Sequence, residues 1–271
     1  MTRDTWLTKH PCLYGIARLQ DQVDTALAEI IIPTAEVPHW DRYLQDFRAG
    51  VPLLLSSPIP IDLVPVECAL VSLSDALAAK ALPEKMASDV RALVIDFRSD
   101  SGLPHRAVTW LLAKDSFMPP HSGLLHYLGW MVMARYLMRM IPAFGFWRDE
   151  ERWLRNYCPT CGASPGMAQL VGADPARLRL LVCGGCTTRW RYRRTGCPFC
   201  GTEDDQSLAI LSVESENALR IEYCKNCNGY LKTYNGEGNE RLFLADWTSL
   251  HLDVIARDRQ LKHYAGSLYQ L

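Results

Sequence analysis

Four Cys-x-x-Cys pairs constrain this chain more than any other feature of its sequence. They lie between Cys158 and Cys227, so that eight of the ten cysteines of the 271-residue chain fall within 70 residues. The pairs are Cys158/Cys161, Cys183/Cys186, Cys197/Cys200 and Cys224/Cys227. Two residues between cysteines let both thiolates of a tight turn face one ion, at about 2.3 Å for zinc, and two such turns complete a tetrahedral site. Four pairs therefore predict two metal sites, each with four cysteine ligands.

The order of the pairs indicates how they combine. The first and third turns read Cys-Pro-x-Cys-Gly, whereas the second and fourth lack that proline, so one pattern occurs twice. Gaps of 21 and 23 residues, each long enough for a β-hairpin, separate the two turns of a repeat. Combining neighbouring pairs closes two short loops, whereas combining the first pair with the last closes a long loop at a greater cost in entropy. The sequence thus predicts two tandem rubredoxin-like ribbons.

A redox role is the main alternative for these cysteines, because Cys-x-x-Cys is also the dithiol of thioredoxin-type proteins. That dithiol belongs at the N-terminus of a helix, and one copy suffices. Here Gly162 and Gly201 follow the first and third turns, and the flanking residues favour short strands, so metal binding is the favoured interpretation. Cys12 and Cys68 stand outside the pairs in apolar surroundings and are predicted to be small buried residues.

Length and composition fit an ordinary globular protein with room for two domains. Hydrophobic residues make up 48% of the chain and charged residues 22%. The N-terminus has no apolar signal core. The most apolar stretch, residues 122–141, is interrupted by His126, Arg135 and Arg139 and predicts the central helix of a helical domain. We therefore expect a cytoplasmic protein without a transmembrane segment.

Together these features predict an α+β fold. We expect a helical domain over residues 1–152, because apolar residues recur there at helical spacing. A first rubredoxin-like, zinc-ribbon-like module follows at 153–194, a second at 195–238, and a C-terminal helical segment at 239–271.

Motifs of catalysis are not visible in the sequence. It has no nucleophile elbow, phosphate loop or paired-carboxylate motif, so we do not expect an enzyme. His121 and His126 are five residues apart, not the four that place two ligands on one face of a helix. His251 and His263 lie on a predicted C-terminal helix without carboxylates at ligand spacing.

A basic and aromatic segment, Arg189–Arg194, lies between the two predicted ribbons. On a strand, its alternation puts Trp190 and Tyr192 on one face and arginines on the other. Such a strand could bind single-stranded nucleic acid, or its arginines could balance the charge of the metal sites. Two sites of four thiolates and one divalent ion would take the formal charge of −1 to about −5, which makes nucleic acid the less favoured partner.

Further motifs extend across and beyond the ribbons. A Cys-Pro-x-Cys-Gly-x-x-Pro opening is matched from Cys158 to Pro165, and a Leu-Arg-x-Leu-x-Cys-x-x-Cys-x-x-x-Trp run at residues 178–190. A Cys-x-x-Cys-x-x-Tyr-Leu-Lys signature is matched at residues 224–232. Residues 244–253 are similar to an Ala-Asp-Asp-Leu-Ala-Ser-Leu-x-Leu-Asp helix. In this combination the chain resembles the formate dehydrogenase accessory (formation) proteins of the FdhE family.

The resemblance implies a cytoplasmic, non-catalytic protein that binds the catalytic subunit of a respiratory formate dehydrogenase, or of a related exported oxidoreductase, and assists its maturation. It also implies iron or zinc at the two cysteine sites, one ion at each, and a tendency to form homodimers. The matched motifs suggest a partner-binding surface that includes Trp190, Tyr230, Lys232 and Asp246. Two alternatives stay open: a zinc-ribbon protein that binds nucleic acid through Arg189–Arg194, and a redox- or iron-responsive cysteine protein.

Overall fold

The computed structural model describes residues 1–113, 116–148, 150–173, 176–214, 216–265 and 267–269. Its helices are α1 (Arg3–Lys9), α2 (Tyr14–Glu29), α3 (Trp40–Ala49), α4 (Val64–Ala78), α5 (Glu84–Ser99), α6 (Leu103–Leu111), α7 (Ser122–Leu137), α8 (Met140–Trp147), α9 (Glu150–Trp153), α10 (Glu240–Phe243) and α11 (Leu250–Asp258). Its strands are β1 (Pro165–Val171), β2 (Leu178–Cys183), β3 (Arg189–Tyr192), β4 (Leu208–Ser212), β5 (Leu219–Cys224) and β6 (Tyr230–Tyr234). N-terminal helices, a sheet and a C-terminal helix confirm the predicted α+β class.

Two compact units divide the chain. A helical unit comprises Ile16–Leu44, Leu53–Arg148 and Leu268–Leu271, and a sheet unit comprises Met1–Gly15, Gln45–Pro52 and Asp149–Ser267. The four-segment division drawn from the sequence stays a prediction.

The helical unit is built around α7. Ten of the sixteen residues of this helix are buried, and they point in all directions around its axis, as expected of a helix enclosed by others. Helix α4 contacts α5, α6 and α7. A methyl group on Gly129 of α7 would lie 2.4 Å from Leu111 of α6, so the absence of a side chain lets the two helices approach closely. None of the described helices is both long and apolar enough to cross a membrane.

The sheet unit contains the two predicted hairpins. Strands β1 and β2 pair antiparallel within the first gap between cysteine turns, and β4 and β5 pair antiparallel within the second. Strand β3 then adds to β2, and β6 adds to β5. The six strands form one sheet in the order β3-β2-β1-β6-β5-β4, because β1 pairs parallel with β6. The two ribbons are therefore joined by backbone hydrogen bonds.

The N-terminal residues also belong to the sheet unit. Trp6 of α1 is 2% exposed. Its indole nitrogen donates to the carbonyl of Thr248 at 3.0 Å, and its ring meets Phe243 edge-on at 5.1 Å between centroids. These contacts pack α1 against the C-terminal helices of the sheet unit.

Two sequence-based expectations about single residues are wrong. Cys12 and Cys68 are exposed rather than buried, although Leu13 beside Cys12 and Ala69 beside Cys68 are buried, because neighbours in sequence point in different directions. His263 does not lie on the C-terminal helix, since α11 ends at Asp258.

The packing of α7 yields a stability prediction. Leu125→Ala removes a side chain with no exposed surface and should lower the free energy of unfolding by about 2–5 kcal/mol, through lost burial and the cavity left behind. Ile95→Ala on α5 is the control, since Ile95 is 62% exposed and its truncation should cost no more than about 0.5 kcal/mol. Chemical denaturation followed by far-UV circular dichroism measures both. Equal losses in the two variants would contradict the central position of α7.

Candidate metal centres

The first candidate centre joins two turns at one end of the β1–β3 ribbon. It contains Cys158, Cys161, Cys183 and Cys186, all buried. Their Sγ atoms lie 3.5 Å apart between Cys158 and Cys186, and 3.5 Å apart between Cys161 and Cys183.

Two buried threonines connect the turns of this first centre. The hydroxyls of Thr160 and Thr188 lie 2.7 Å apart, and the Thr188 hydroxyl lies 3.2 Å from the Cys186 sulfur. The amide of Thr160 also points at the Cys158 sulfur, at 3.4 Å. Polar donors around the sulfurs favour the thiolate form.

The second candidate centre contains Cys197, Cys200, Cys224 and Cys227. Its Sγ atoms are 3.8 Å apart between Cys197 and Cys227, and 3.7 Å apart between Cys200 and Cys224. It is less enclosed than the first, because Cys200 is exposed and Cys227 is half-buried. The structure thus brings together the two groups of four cysteines in the pairing that the sequence predicts.

All four turns share one backbone geometry. In each, the residue four positions after the first cysteine has a positive φ: 83° at Gly162, 62° at Thr187, 75° at Gly201 and 57° at Asn228. Glycine adopts this conformation without cost, which explains the Cys-Pro-x-Cys-Gly turns. The residues with positive φ let the backbone fold back on itself at each turn. The backbone amide of Cys158 thus donates to the carbonyl of Ala163 at 2.8 Å, and the amide of Cys197 donates to the carbonyl of Thr202 at 2.9 Å.

The sulfur geometry fits a tetrahedral ion. Four sulfurs at about 2.3 Å from one zinc ion lie about 3.8 Å from each other. The observed separations of 3.5–3.8 Å approach this value at both centres. Both groups could therefore hold a metal ion without rearrangement of the backbone.

The electrostatics of the thiols support the same interpretation. Burial raises the pKa of the Cys197 thiol to about 12. In the first group, hydrogen bonding with Cys158 and burial raise the pKa values of Cys161 and Cys183 well above their usual range. Burial alone would raise the pKa of Cys158, but hydrogen bonds with the three neighbouring thiols outweigh it and place that pKa well below its usual range. A metal ion bound by these cysteines would replace the thiol protons.

A cavity of about 290 Å³ adjoins the second centre. Cys197, Phe199 and Cys224 contribute to its wall, together with the buried side chains of Arg179 and Glu222. Arg179 donates to the carbonyl of Gly196 at 2.9 Å and lies 3.4 Å from the Glu222 carboxylate. The wall of the cavity therefore combines apolar side chains with charged ones.

The segment Arg189–Arg194 forms the edge strand β3 and its extension. Trp190 and Tyr192 are buried on one face, as the alternation predicts. The arginines pair with carboxylates: Arg189 with Glu240 at 2.7 Å, Arg194 with Glu222 at 3.6 Å, and Arg193 with Glu203. Each of these three arginines therefore lies next to a carboxylate, although Arg194 shares Glu222 with Arg179 and Arg220.

The residues matched to the family motifs around β6 form a buried ion-pair network. Lys232 has no exposed surface, and its ammonium group donates to Asp246 and, at 2.8 Å, to Asp253. The Tyr230 hydroxyl donates to Asp253 at 2.8 Å, and the Ser267 hydroxyl donates to Asp246 at 2.6 Å. Burial alone would lower the pKa of Lys232, but the two carboxylates outweigh it and raise that pKa. Lys232 in turn lowers the pKa of Asp246 against the effect of burial.

The four residues suggested as a partner-binding surface lie mostly inside the sheet unit. Trp190, Tyr230 and Lys232 are buried, and the side chain of Asp246 is 14% exposed. Their role in partner binding stays a prediction. Because they are largely buried, these side chains would affect a partner indirectly, by holding exposed residues of the sheet unit in position.

Sequence reasoning missed one cluster of metal-ligating side chains. His10, Glu216 and His251 place their donor atoms within 4.8 Å of one another. The three residues come from distant parts of the chain, so no local spacing signals the cluster.

The fold and site define a class: a protein with a helical unit and a sheet unit that carries two four-cysteine ribbon centres. No family model matches the chain. A protein from Aquifex aeolicus, "Protein FdhE homolog", is 35% identical over 114 residues, which are 41% of this chain and 40% of that protein. A protein of the same name from Enterobacter sp. is 28% identical over 211 residues, 76% of this chain and 67% of that protein.

A solved structure has the same fold. The crystal structure of the FdhE protein from Pseudomonas aeruginosa matches 94% of this chain and 87% of that chain, with a TM-score of 0.61 and 22% identity. By sequence, this chain is similar to proteins named FdhE homolog. It spans about two-fifths of the length of the Aquifex relative, as 40% of that protein is matched.

Metal binding at the two centres can be counted by cobalt spectroscopy. With Co²⁺, sulfur-to-metal charge transfer should saturate at two ions per chain, and Cys158→Ser should retain the signal of one site. The second site survives because its four sulfurs come from other turns. Cys12→Ser is the matched control, since Cys12 is an exposed cysteine outside both groups. Saturation at one ion in the wild type, or loss of both sites in Cys158→Ser, would show that the centres are not independent.

The ion pairs of Lys232 predict a pH-dependent loss of stability. Lys232→Met leaves two carboxylates unpaired in the interior and should cost about 3–5 kcal/mol at neutral pH. The lowered pKa of Asp246 contributes stability that is present above its unfolded value of about 3.9 and is lost as the pH falls below it. The difference in the free energy of unfolding between Lys232→Met and the wild type should therefore become smaller in acid, where protonation of the carboxylates removes their unpaired charge.

Denaturation at several pH values measures this difference. Arg189→Met is the control, because its ion pair with Glu240 joins side chains that are 44% and 50% exposed and is worth about 0–1 kcal/mol. Equal costs for the two variants, or a cost of Lys232→Met that does not vary with pH, would contradict the network.

Proposed function

We propose that this chain is a metal-binding accessory protein that binds the catalytic subunit of a formate dehydrogenase, or of a related exported oxidoreductase, and assists its maturation. The observation that carries the proposal is the pair of four-cysteine centres in a chain that is similar to FdhE homologues. The motifs matched between residues 158 and 253 support the same role, because they include both the cysteine turns and the network around Lys232.

The metal ions in this proposal are two per chain, iron or zinc, each held by four thiolates. Sulfur separations of 3.5–3.8 Å support this ligand set. Four protein ligands complete the tetrahedron and leave no position for a substrate. The centres therefore support a protein that organises a binding surface and does not itself catalyse a reaction.

The second centre is the favoured place for partner contact. Cys200 is exposed, and the neighbouring cavity of about 290 Å³ has both apolar side chains and the charges of Arg179 and Glu222 in its wall. A peptide segment of the client with an apolar side chain next to a polar group would complement this surface. The first centre, with all four sulfurs buried, holds the ribbon together.

The nucleic-acid alternative is less well supported. Binding to phosphates needs arginines whose charge is available, and three arginines of the Arg189–Arg194 segment lie next to carboxylates. We further propose that the protein acts in the cytoplasm, where a reducing environment keeps thiols available to metal ions, and that it forms homodimers.

A complementation experiment tests the proposal. Deleting the gene should abolish or reduce the activity of one exported or membrane-associated oxidoreductase, with formate dehydrogenase the first to be assayed, while its mRNA stays unchanged. Cys197→Ser should behave like the deletion, because it opens the second centre, and Cys12→Ser should restore activity. Substituting Arg189, Arg191 and Arg193 by glutamine should have a milder effect, since their main role is charge balance.

Capture of the catalytic subunit by the tagged wild-type chain, and not by Cys197→Ser, should accompany these results. Normal client activity in the cysteine variant with a strong defect in the arginine variant would instead indicate nucleic acid. A fall in client mRNA after deletion would also refute a role in maturation.

A further inference from the structure

His10, Glu216 and His251 form a compact cluster within the sheet unit, apart from the cysteine centres. His10 follows α1, Glu216 lies in the loop between β4 and β5, and His251 lies in the first turn of α11. The Nε2 atom of His10 is 2.9 Å from Glu216 Oε1, and the Nε2 atom of His251 is 2.7 Å from the same oxygen. The three side chains are only 13%, 7% and 12% exposed, in that order. Three donor atoms thus converge in a largely buried place.

Aromatic packing fixes the two imidazoles. The ring of Trp6 lies 3.9 Å from that of His10 and 5.7 Å from that of His251, measured between centroids. The two imidazole rings lie 4.4 Å apart. Because Trp6 is itself held by its hydrogen bond to Thr248, the cluster is organised before any ligand arrives.

The hydrogen bonds set the tautomer of His10. Its Nδ1 atom lies 3.1 Å from the carbonyl oxygen of Trp6, and a carbonyl can only accept, so Nδ1 carries a proton. With that proton on Nδ1, the Nε2 atom faces the Glu216 carboxylate at 2.9 Å, so either a second ring proton, which Nε2 donates to the carboxylate, or a bound cation lies between them. Metal-binding histidines have this arrangement, with one ring nitrogen donating to a carbonyl and the other free to coordinate.

Unsatisfied atoms indicate that the cluster lacks a component. Among the described residues, no hydrogen-bond partner reaches the buried Oε2 atom of Glu216 or the buried Nδ1 atom of His251. A buried carboxylate oxygen without a donor is costly. A cation at the point where the two Nε2 atoms and the carboxylate meet would satisfy that carboxylate.

We propose that His10, Glu216 and His251 form a third metal site, for a divalent transition-metal ion such as Zn²⁺ or Fe²⁺. Two imidazoles and a carboxylate are ligands that both ions accept, and three protein ligands leave at least one position open to water. Ligands at about 2.0–2.2 Å from an ion lie about 3.3 Å apart, so binding separates the side chains by roughly half an ångström and releases the protons between them. The site would fasten α1 to the β4–β5 loop and to α11. It is independent of the proposed function.

Cobalt again provides the measurement, with the full chain carrying zinc at its cysteines. Zinc holds thiolate sites more tightly than cobalt does, so added Co²⁺ is directed to the remaining site. One Co²⁺ per chain should bind and give weak visible d–d bands without sulfur-to-metal charge transfer. Removal of a residue that only hydrogen-bonds to a metal ligand typically weakens metal binding by about 10–100-fold. His251→Gln and Glu216→Gln each remove a ligand itself, so each should weaken Co²⁺ binding at least as much.

His105→Gln is the matched control. His105 and Glu67 form another pair at 2.8 Å, but without a second imidazole, and the substitution should leave cobalt binding unchanged. Glu216→Gln keeps the size of the side chain, and a thermal melt of each variant without Co²⁺ shows that it is folded. The proposal is overturned if the wild type gives no d–d bands, if only charge-transfer bands appear, or if folded Glu216→Gln binds Co²⁺ like the wild type.

Discussion

A buried thiolate needs a cation beside it, and the sheet unit depends on that constraint. Each of its ribbons consists of three short strands joined by turns, with four cysteines gathered at the turns. The turns include Thr187, a β-branched residue with a φ of 62°, in a conformation that costs roughly 1–2 kcal/mol. Coordination by four sulfurs outweighs such costs, because structural zinc is worth about 10–16 kcal/mol in small peptides. A metal ion at each group of four cysteines would therefore stabilise the turns, in addition to the apolar side chains that the strands bury.

The parallel pairing of β1 with β6 makes the two centres parts of one sheet. Lys232 stands at this junction, paired with Met167 across the strands, and its side chain reaches the two aspartates of the C-terminal region. Lysine is seldom fully buried unless it is paired, so this residue marks the place where the ribbons and the C-terminal helices are fastened together. A change at the junction therefore affects both ribbons.

Local patterns in the sequence predict the local parts of the structure. The spacing of eight cysteines predicts the two groups of four, and the length of the gaps predicts the two hairpins. The same reasoning does not reach the pairing of β1 with β6, because strands far apart in sequence are joined by contacts that no local pattern encodes. The cluster of His10 with Glu216 could not be predicted from the sequence for the same reason, since 206 positions separate the two residues. The predicted burial of two single cysteines is wrong for a related reason. Cys12 and Cys68 have apolar neighbours in sequence, but whether a side chain is exposed depends on how the helices pack.

Unequal exposure gives the two cysteine centres different chemical possibilities. The two centres have the same ligands and similar sulfur separations, so their affinities for a metal ion are set largely by their surroundings. In the first centre no sulfur is exposed, and an ion leaves only if the ribbon opens. In the second, the exposed Cys200 lets solvent, a chelating group or a partner protein reach the ion while the sheet stays folded. The adjoining cavity, with Phe199 and Cys224 in its wall, lies next to the same sulfurs. A client that responds to the metal content of this protein would therefore sense it at the second centre.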